Sequence, residues 1–378
     1  MTTLNFVGWE TGYQLFTFNN MGEAYTGAGT ASISSVSKRS GAYSLIVNPT
    51  TTAVGYAVIG TQPATGGAGL AYNEPTIYAR FYHNPATLPA ANNEEIFVAR
   101  TTAAAYKFAL RINSSGKLMA FASDGTTQLG SDGTTTVQLW DRIECKVGTG
   151  AAADYEVLIN GVSELSGTGN LSTTNNGDIA VGKVTNRNSQ SVVFYYDDVL
   201  ISNSAYPGDS KCKIMIPNGD GTYTAWTIGA GGGADWENVD EVPNDGTTTY
   251  LLSTLTIGEA STVTIESAAT AGISGTILAV KPISIHSRVT LSASPKLRFR
   301  SGATEVDSAA ISQGTGAFVA ASVNVTDPNT SAAWELAALS SLEVGMVGGS
   351  SSRQTVMTSD YVMVEFIAGG ARSYGYIF

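Results

Sequence analysis

The chain has 378 residues, enough for two or three domains, and is 43% hydrophobic against 13% charged. That balance excludes a chain disordered by composition. A formal net charge of -11 repels phosphate backbones and excludes a nucleic-acid partner, and without an apolar run of about 18 residues no membrane-spanning helix is expected.

The first residues, Met1 to Phe6, lack the basic and apolar regions of a signal peptide, so synthesis without export is expected. Gly8-Trp9-Glu10-Thr11-Gly12 and Ser40-Gly41-Ala42-Tyr43-Ser44-Leu45 follow. Period-2 alternation then predicts strands over 76–82, 106–112 and 117–121, the last two joined by a turn at Asn113-Ser114-Ser115-Gly116. Four more short strands come in order: Trp140 to Val147, Tyr155 to Val162, Ile179 to Gly182 and Phe194 to Val199. Asp-Gly pairs at 124–125, 132–133, 220–221 and 245–246 mark turns, since both residues tolerate positive φ.

The polar Pro-Gly stretch from Asn203 to Ser210 divides the chain into 1–207 and 208–369. Strands resume at 263–265, 276–281, 296–300, 318–323 and 361–366. Ser331 to Glu343, with apolar residues at Trp334, Leu336, Leu339 and Leu342, is the best helical candidate, of two or three turns. The tail 370–378 ends Tyr374-Gly375-Tyr376-Ile377-Phe378, and Tyr374, Tyr376 and Phe378 are candidate docking residues. Short strands at this spacing, without crossover helices, predict an all-β chain of two tandem β-sandwich domains.

The ordered segments around Trp9, Ser40 to Leu45, Trp140, Tyr155 and Tyr195 resemble the concanavalin A-like (laminin G-like) jelly roll of bacteriophage structural proteins. The segment from Thr326 to Glu335, with its Asp-Pro-x-Thr-x-x-x-Trp pattern, resembles the C-terminal half of phage tail and virion-associated proteins. The resemblance implies a virion protein, made in the host cytoplasm and docked to capsid or tail subunits, in several copies.

Hydrolases of that jelly-roll family carry a Glu-x-Asp-x-Glu triplet on one strand, which is missing here. Glu94-Glu95 and Asp197-Asp198 are adjacent pairs whose members should point to opposite faces. With two histidines and no nucleophile elbow, the expectation is a protein that is not an enzyme. Its leading role is capsid decoration or tail association, and the alternative is an adhesin that binds host glycans. Glu10 and Asp198 are candidate calcium ligands if the first and last strands of the jelly roll are neighbours; otherwise Asp197 and Asp198 bond to backbone amides or face solvent. His83 and His286 are expected to be ordinary strand or loop residues, and Cys145 and Cys212 free thiols. Tyr72, Tyr78, Tyr82, Tyr195 and Tyr196 either fill a core or form a sugar-stacking surface.

Overall fold

The computed structural model describes residues 3–11, 23–26, 30–50, 52–60, 72–289, 293–311, 313 and 318–369. The candidate docking residues Tyr374, Tyr376 and Phe378 lie outside them. The chain is all-β, with two β-sandwiches in tandem and every strand pairing antiparallel.

In the first sandwich, one sheet runs Val162–Gly169, Ala153–Ile159, Asp141–Val147, Ile77–Thr87, Val193–Ser202, Ser44–Val47, Ala31–Ser34, and Thr3–Val7 also pairs with Val193–Ser202. Facing it is a sheet ordered Gln128–Leu129, Leu118–Phe121, Tyr106–Asn113, Asn93–Thr101, Asn176–Lys183, Gly55–Ile59, Glu23–Thr26. Between them lies a core that includes Phe81, Phe97, Phe108, Ile143 and Tyr196. The predicted turn at Asn113 is present: Asn113 N–H donates to the Lys117 carbonyl, and Gly116 takes positive φ.

The second sandwich also has two sheets. One is built around Thr355–Ala368, flanked by Lys211–Met215, Tyr250–Leu252 and Gly275–Arg288. The other runs Pro217–Thr224, Ala260–Ile265, Leu342–Val347, Lys296–Ser301, Thr304–Asp307. Their core includes Trp226, Phe299, Trp334 and Phe366. The helix expected over Ser331 to Glu343 is reduced to a 3-10 segment, Leu336–Ser341. The Ser340 and Ser341 hydroxyls bond back to the Ala337 and Ala338 carbonyls, a local alternative to continuing a helix.

The two sandwiches pack outer face to outer face. Val7, Val199 and Ile201 point into the first core, while the intervening Phe6 and Leu200 point out of it. Val362, Val364 and Phe366 point into the second core, while Tyr361 and Met363 point out. These outward residues join Cys212, Ala279, Ile283 and Ile285 in one cluster. Both central strands are therefore buried on both faces, as the unbroken burial of Thr355–Ala368 up to its last two residues shows.

Polar groups trapped in this junction are paired across it. Arg80 Nη2 lies 2.8 Å from Glu365 Oε1, both fully buried. Arg80 also donates to the Asp198 and Gly208 carbonyls and to the Ser210 hydroxyl. Lys281 Nζ donates to Asn5 Oδ1 at 3.0 Å and to the Phe6 carbonyl at 3.1 Å. Gly8 is needed for the approach, because a Cβ there would stand 2.7 Å from Cys212 Cβ.

Candidate functional site

The first sandwich's second sheet has its own outer face, and there the side chains form three rows. Ala57, Ile59, Phe97, Ala99, Phe108 and Leu110 point into the core. Their neighbours Val58, Val98, Ala109, Phe121 and Ala180 form a separate apolar cluster on the opposite side. These five are in register across the sheet: Phe121 opposite Ala109, Ala109 opposite Val98, Val98 opposite Ala180, and Ala180 opposite Val58.

On either side of this apolar row runs an ionic one, and each owes its place to a β-bulge. Ile96 is an extra residue between Glu95 and Phe97, so Glu95 comes to face outward beside its cross-strand partner Arg111. Lys107 and Gly177 are extra residues in their strands, and the register they set places Tyr106 and Asp178 on either side of Arg100. Arg100 makes a fork-like pair with Asp178, at 2.5 Å from Nε and 2.8 Å from Nη2. Burial pushes the Asp178 carboxyl up from its usual range, with Arg100 opposing.

Tyr106 connects the rows. Its hydroxyl donates to Glu95 at 3.0 Å, and its ring packs against the row of small side chains between them. Glu95 also accepts the Thr185 N–H at 2.8 Å and the Thr185 hydroxyl at 3.0 Å. Arg111 Nη2 stands 3.5 Å from Glu95, and the same nitrogen donates to the Gly125 carbonyl at 2.6 Å. The Arg111 guanidinium sits 4.0 Å over the Phe121 ring, and the Arg187 guanidinium 5.2 Å over the Tyr106 ring. Burial beside Glu95 raises the Tyr106 hydroxyl well above its ordinary value. Half-buried Tyr56 and Met119 pack against the apolar row. The apolar row itself is buried, at 0–5% exposure, so what this face offers to solvent is the half-buried Tyr56, Tyr106 and Met119, edged by fixed donors and acceptors that suit a sugar's hydroxyls.

The five tyrosines weighed from the sequence are elsewhere. Tyr195 and Tyr196 are buried, Tyr72 is buried with its hydroxyl on the Ile59 carbonyl, and Tyr78 packs edge-on to Tyr206. Tyr82 lies under Arg39, 3.4 Å from the guanidinium carbon, with its hydroxyl on Asp209. Tyr106 escapes a sequence reading because its face depends on the bulge at Lys107, and Tyr56 because alternation alone does not say which side of its regular strand is the core.

Glu94 and Glu95 do point to opposite faces: Glu94 pairs with buried Lys183 at 3.3 Å, Glu95 with the outer network. Asp197 and Asp198 accept backbone N–H groups, as one expectation had it, but they do not point to opposite faces. A bulge, with Asp198 at φ 46°, turns both carboxylates onto Arg39 and Ser40. Asp198 receives the Arg39 guanidinium at 2.6 Å, the Ser40 hydroxyl and the Cys212 N–H. Glu10 is close by, accepts the Ala42 N–H at 2.6 Å, and is pushed up to about 8 by burial and, in smaller part, by Asp198. The two candidate calcium ligands are thus neighbours, with a guanidinium already against Asp198. Among the described residues no group of three or more His, Cys, Asp or Glu is arranged to hold a metal ion.

His83 is a core residue between Phe194 and Tyr196, and burial lowers it to about 3; His286 is likewise buried and lowered to about 4. Both cysteines are buried and unbridged. Among the described residues no helix is long and apolar enough to cross a membrane.

No family model matches the chain, and no curated protein is similar to it. Solved structures do match. An endo-beta-1,4-glucuronan lyase from the fungus Trichoderma reesei is 11% identical, with TM-score 0.38, over 54% of this chain and 96% of the lyase. A carbohydrate esterase from a Shiga toxin-encoding bacteriophage is 12% identical, with TM-score 0.38, over 54% of this chain and 99% of the esterase. An alginate lyase is 8% identical, with TM-score 0.34, over 53% of this chain and 97% of the lyase. These neighbours bind or modify carbohydrates, and the likeness is one of fold. The expectation that the chain is not an enzyme is withdrawn, because β-sandwiches similar to it include lyases and an esterase.

Proposed function

We propose that this chain recognises glycans on the outer face of the first sandwich, and that it does so as an exposed component of a bacteriophage particle. The observation that carries the first half is the Tyr106 network: an aromatic ring against an apolar row, with Glu95, Arg111 and the Arg100–Asp178 pair at its edges. Fixed polar groups beside an aromatic surface are what a sugar needs, and their pairing spares the free protein the cost of unsatisfied charge. The second half is supported by the jelly-roll resemblance and by the low charge of the chain, which suits docking to virion proteins and to further copies of itself. The junction gives such a component a rigid base, since the second sandwich cannot swivel without breaking buried pairs.

A glycan array probed with the intact chain and with Tyr106→Ala tests the first half. Binding by the parent, weakened at least about tenfold in the variant, is expected; binding that ignores the substitution would move the site elsewhere. Tyr106→Phe, which keeps the ring and drops the hydroxyl, separates stacking from loss of fold. Electron microscopy of particles labelled with an antibody to this chain tests the second half: regular label on head or tail supports it, and bare particles refute it.

A further inference from the structure

Among the described residues, one guanidinium on the outer face has no carboxylate in close contact. Three guanidiniums, Arg100, Arg111 and Arg187, stand with two carboxylates, Glu95 and Asp178. Asp178 is taken up by Arg100. Glu95 is filled by Tyr106, Thr185 and Arg111. Arg187 reaches it only at 3.9 Å, the outer limit of an ion pair, and a third of its side chain (33%) is open to solvent. Asp124 in the neighbouring turn is ionised, held well below its usual range by the Thr126 and Thr127 N–H groups and the Thr127 hydroxyl; it balances the charge nearby, but its oxygens are turned to these donors and not to Arg187.

The Arg187 guanidinium is also held in place. Its underside rests on the Tyr106 ring. Its edge abuts Gly125, which has φ +65° and where a Cβ would lie 2.7 Å from Arg187 Nη2. The turn that carries Gly125 is itself tied to the sheet through Arg111. Two loops thus converge to present one guanidinium fork above an aromatic ring, on a chain whose net charge of -11 otherwise repels anions.

We propose that Arg187 makes this face selective for acidic glycans, pairing its guanidinium fork with a carboxylate or sulfate group on the sugar. The inference rests on the glycan-recognition reading and adds the substrate class. A planar fork accepts either group through two parallel hydrogen bonds, which a hydroxyl cannot match.

The test is calorimetric titration of the intact chain with three hexamers of one backbone: galacturonate, sulfated galactose and neutral galactose. At least one acidic hexamer should bind about tenfold tighter than the neutral one, equivalent to about 1.4 kcal/mol. Which acid leads identifies the natural group. Arg187→Gln should collapse the acid-to-neutral ratio towards one, and Arg187→Lys, which keeps the charge but loses the fork, should fall between. Equal binding of all three hexamers, or an acid preference that survives Arg187→Gln, overturns the selectivity and leaves glycan recognition standing. Failure of all three to bind counts against both.

Discussion

Glu365→Met removes one partner of the buried pair that joins the sandwiches. In the native junction Glu365 and Arg80 are both fully buried at 2.8 Å, and burial raises the Glu365 carboxyl by more than Arg80 lowers it. The glutamate is therefore costly to bury, and the arginine is what makes its burial tolerable. After Glu365→Met, Arg80 keeps the Asp198 and Gly208 carbonyls and the Ser210 hydroxyl but, among the described residues, has no other carboxylate in a direct pair. Stranding a buried charge costs about 3–5 kcal/mol. For 378 residues the unfolding entropy is about 0.8 kcal/mol per kelvin, so Tm should fall by roughly 4–6 °C. The double variant Arg80→Met with Glu365→Met removes both charges and should regain at least about 2 kcal/mol over Glu365→Met alone, since buried pairs often yield to apolar replacements. Differential scanning calorimetry reads all of this, and the parent should melt in one transition because the sandwiches share a cluster of buried side chains. An unchanged Tm for Glu365→Met, strictly additive single losses, or two separate parent transitions would refute the reasoning.

Two further outcomes are expected. Asp360 lies buried in the second sandwich beside the Ser284 hydroxyl, and burial, opposed by that hydroxyl, raises it to about 7 from an ordinary 3.8. Because the folded value is the higher one, the folded state holds the proton more tightly. The contribution is fully present below pH about 4 and is lost as pH rises through about 7, some 4 kcal/mol in all. Urea unfolding of Asp360→Asn from pH 4 to 8 should show that slope removed, and a slope identical to the parent's would contradict it. Calcium should leave Tm unchanged, because Arg39 already compensates Asp198; a calcium-induced rise that Glu10→Gln abolishes would instead establish the site.

The strands at 106–112 and 361–366 and the turn at Asn113 were readable in the sequence, because strand propensity and turn chemistry are local properties, although alternation holds only from Phe108 onward in the first of them. So was the all-β architecture, since nothing in the chain supplies a crossover helix. The sandwich faces were a different matter. Alternation assigns a side only within an unbroken run, and one inserted residue reverses it. The bulge at Ile96 moves Glu95 outward, and the one at Asp198 brings two adjacent carboxylates onto the same loop. No local signal marks either, so the outer-face network emerges only once the strands are in register. The packing of the sandwiches was half visible: Tyr361-Val362-Met363-Val364-Glu365-Phe366 is apolar on both faces except at Glu365, as a strand covered on both sides must be. What covers it, and that Glu365 meets Arg80 from 285 residues away, is decided by the tertiary structure. A long-range pair depends on how two whole sheets stack, which the residues near Arg80 or Glu365 do not encode.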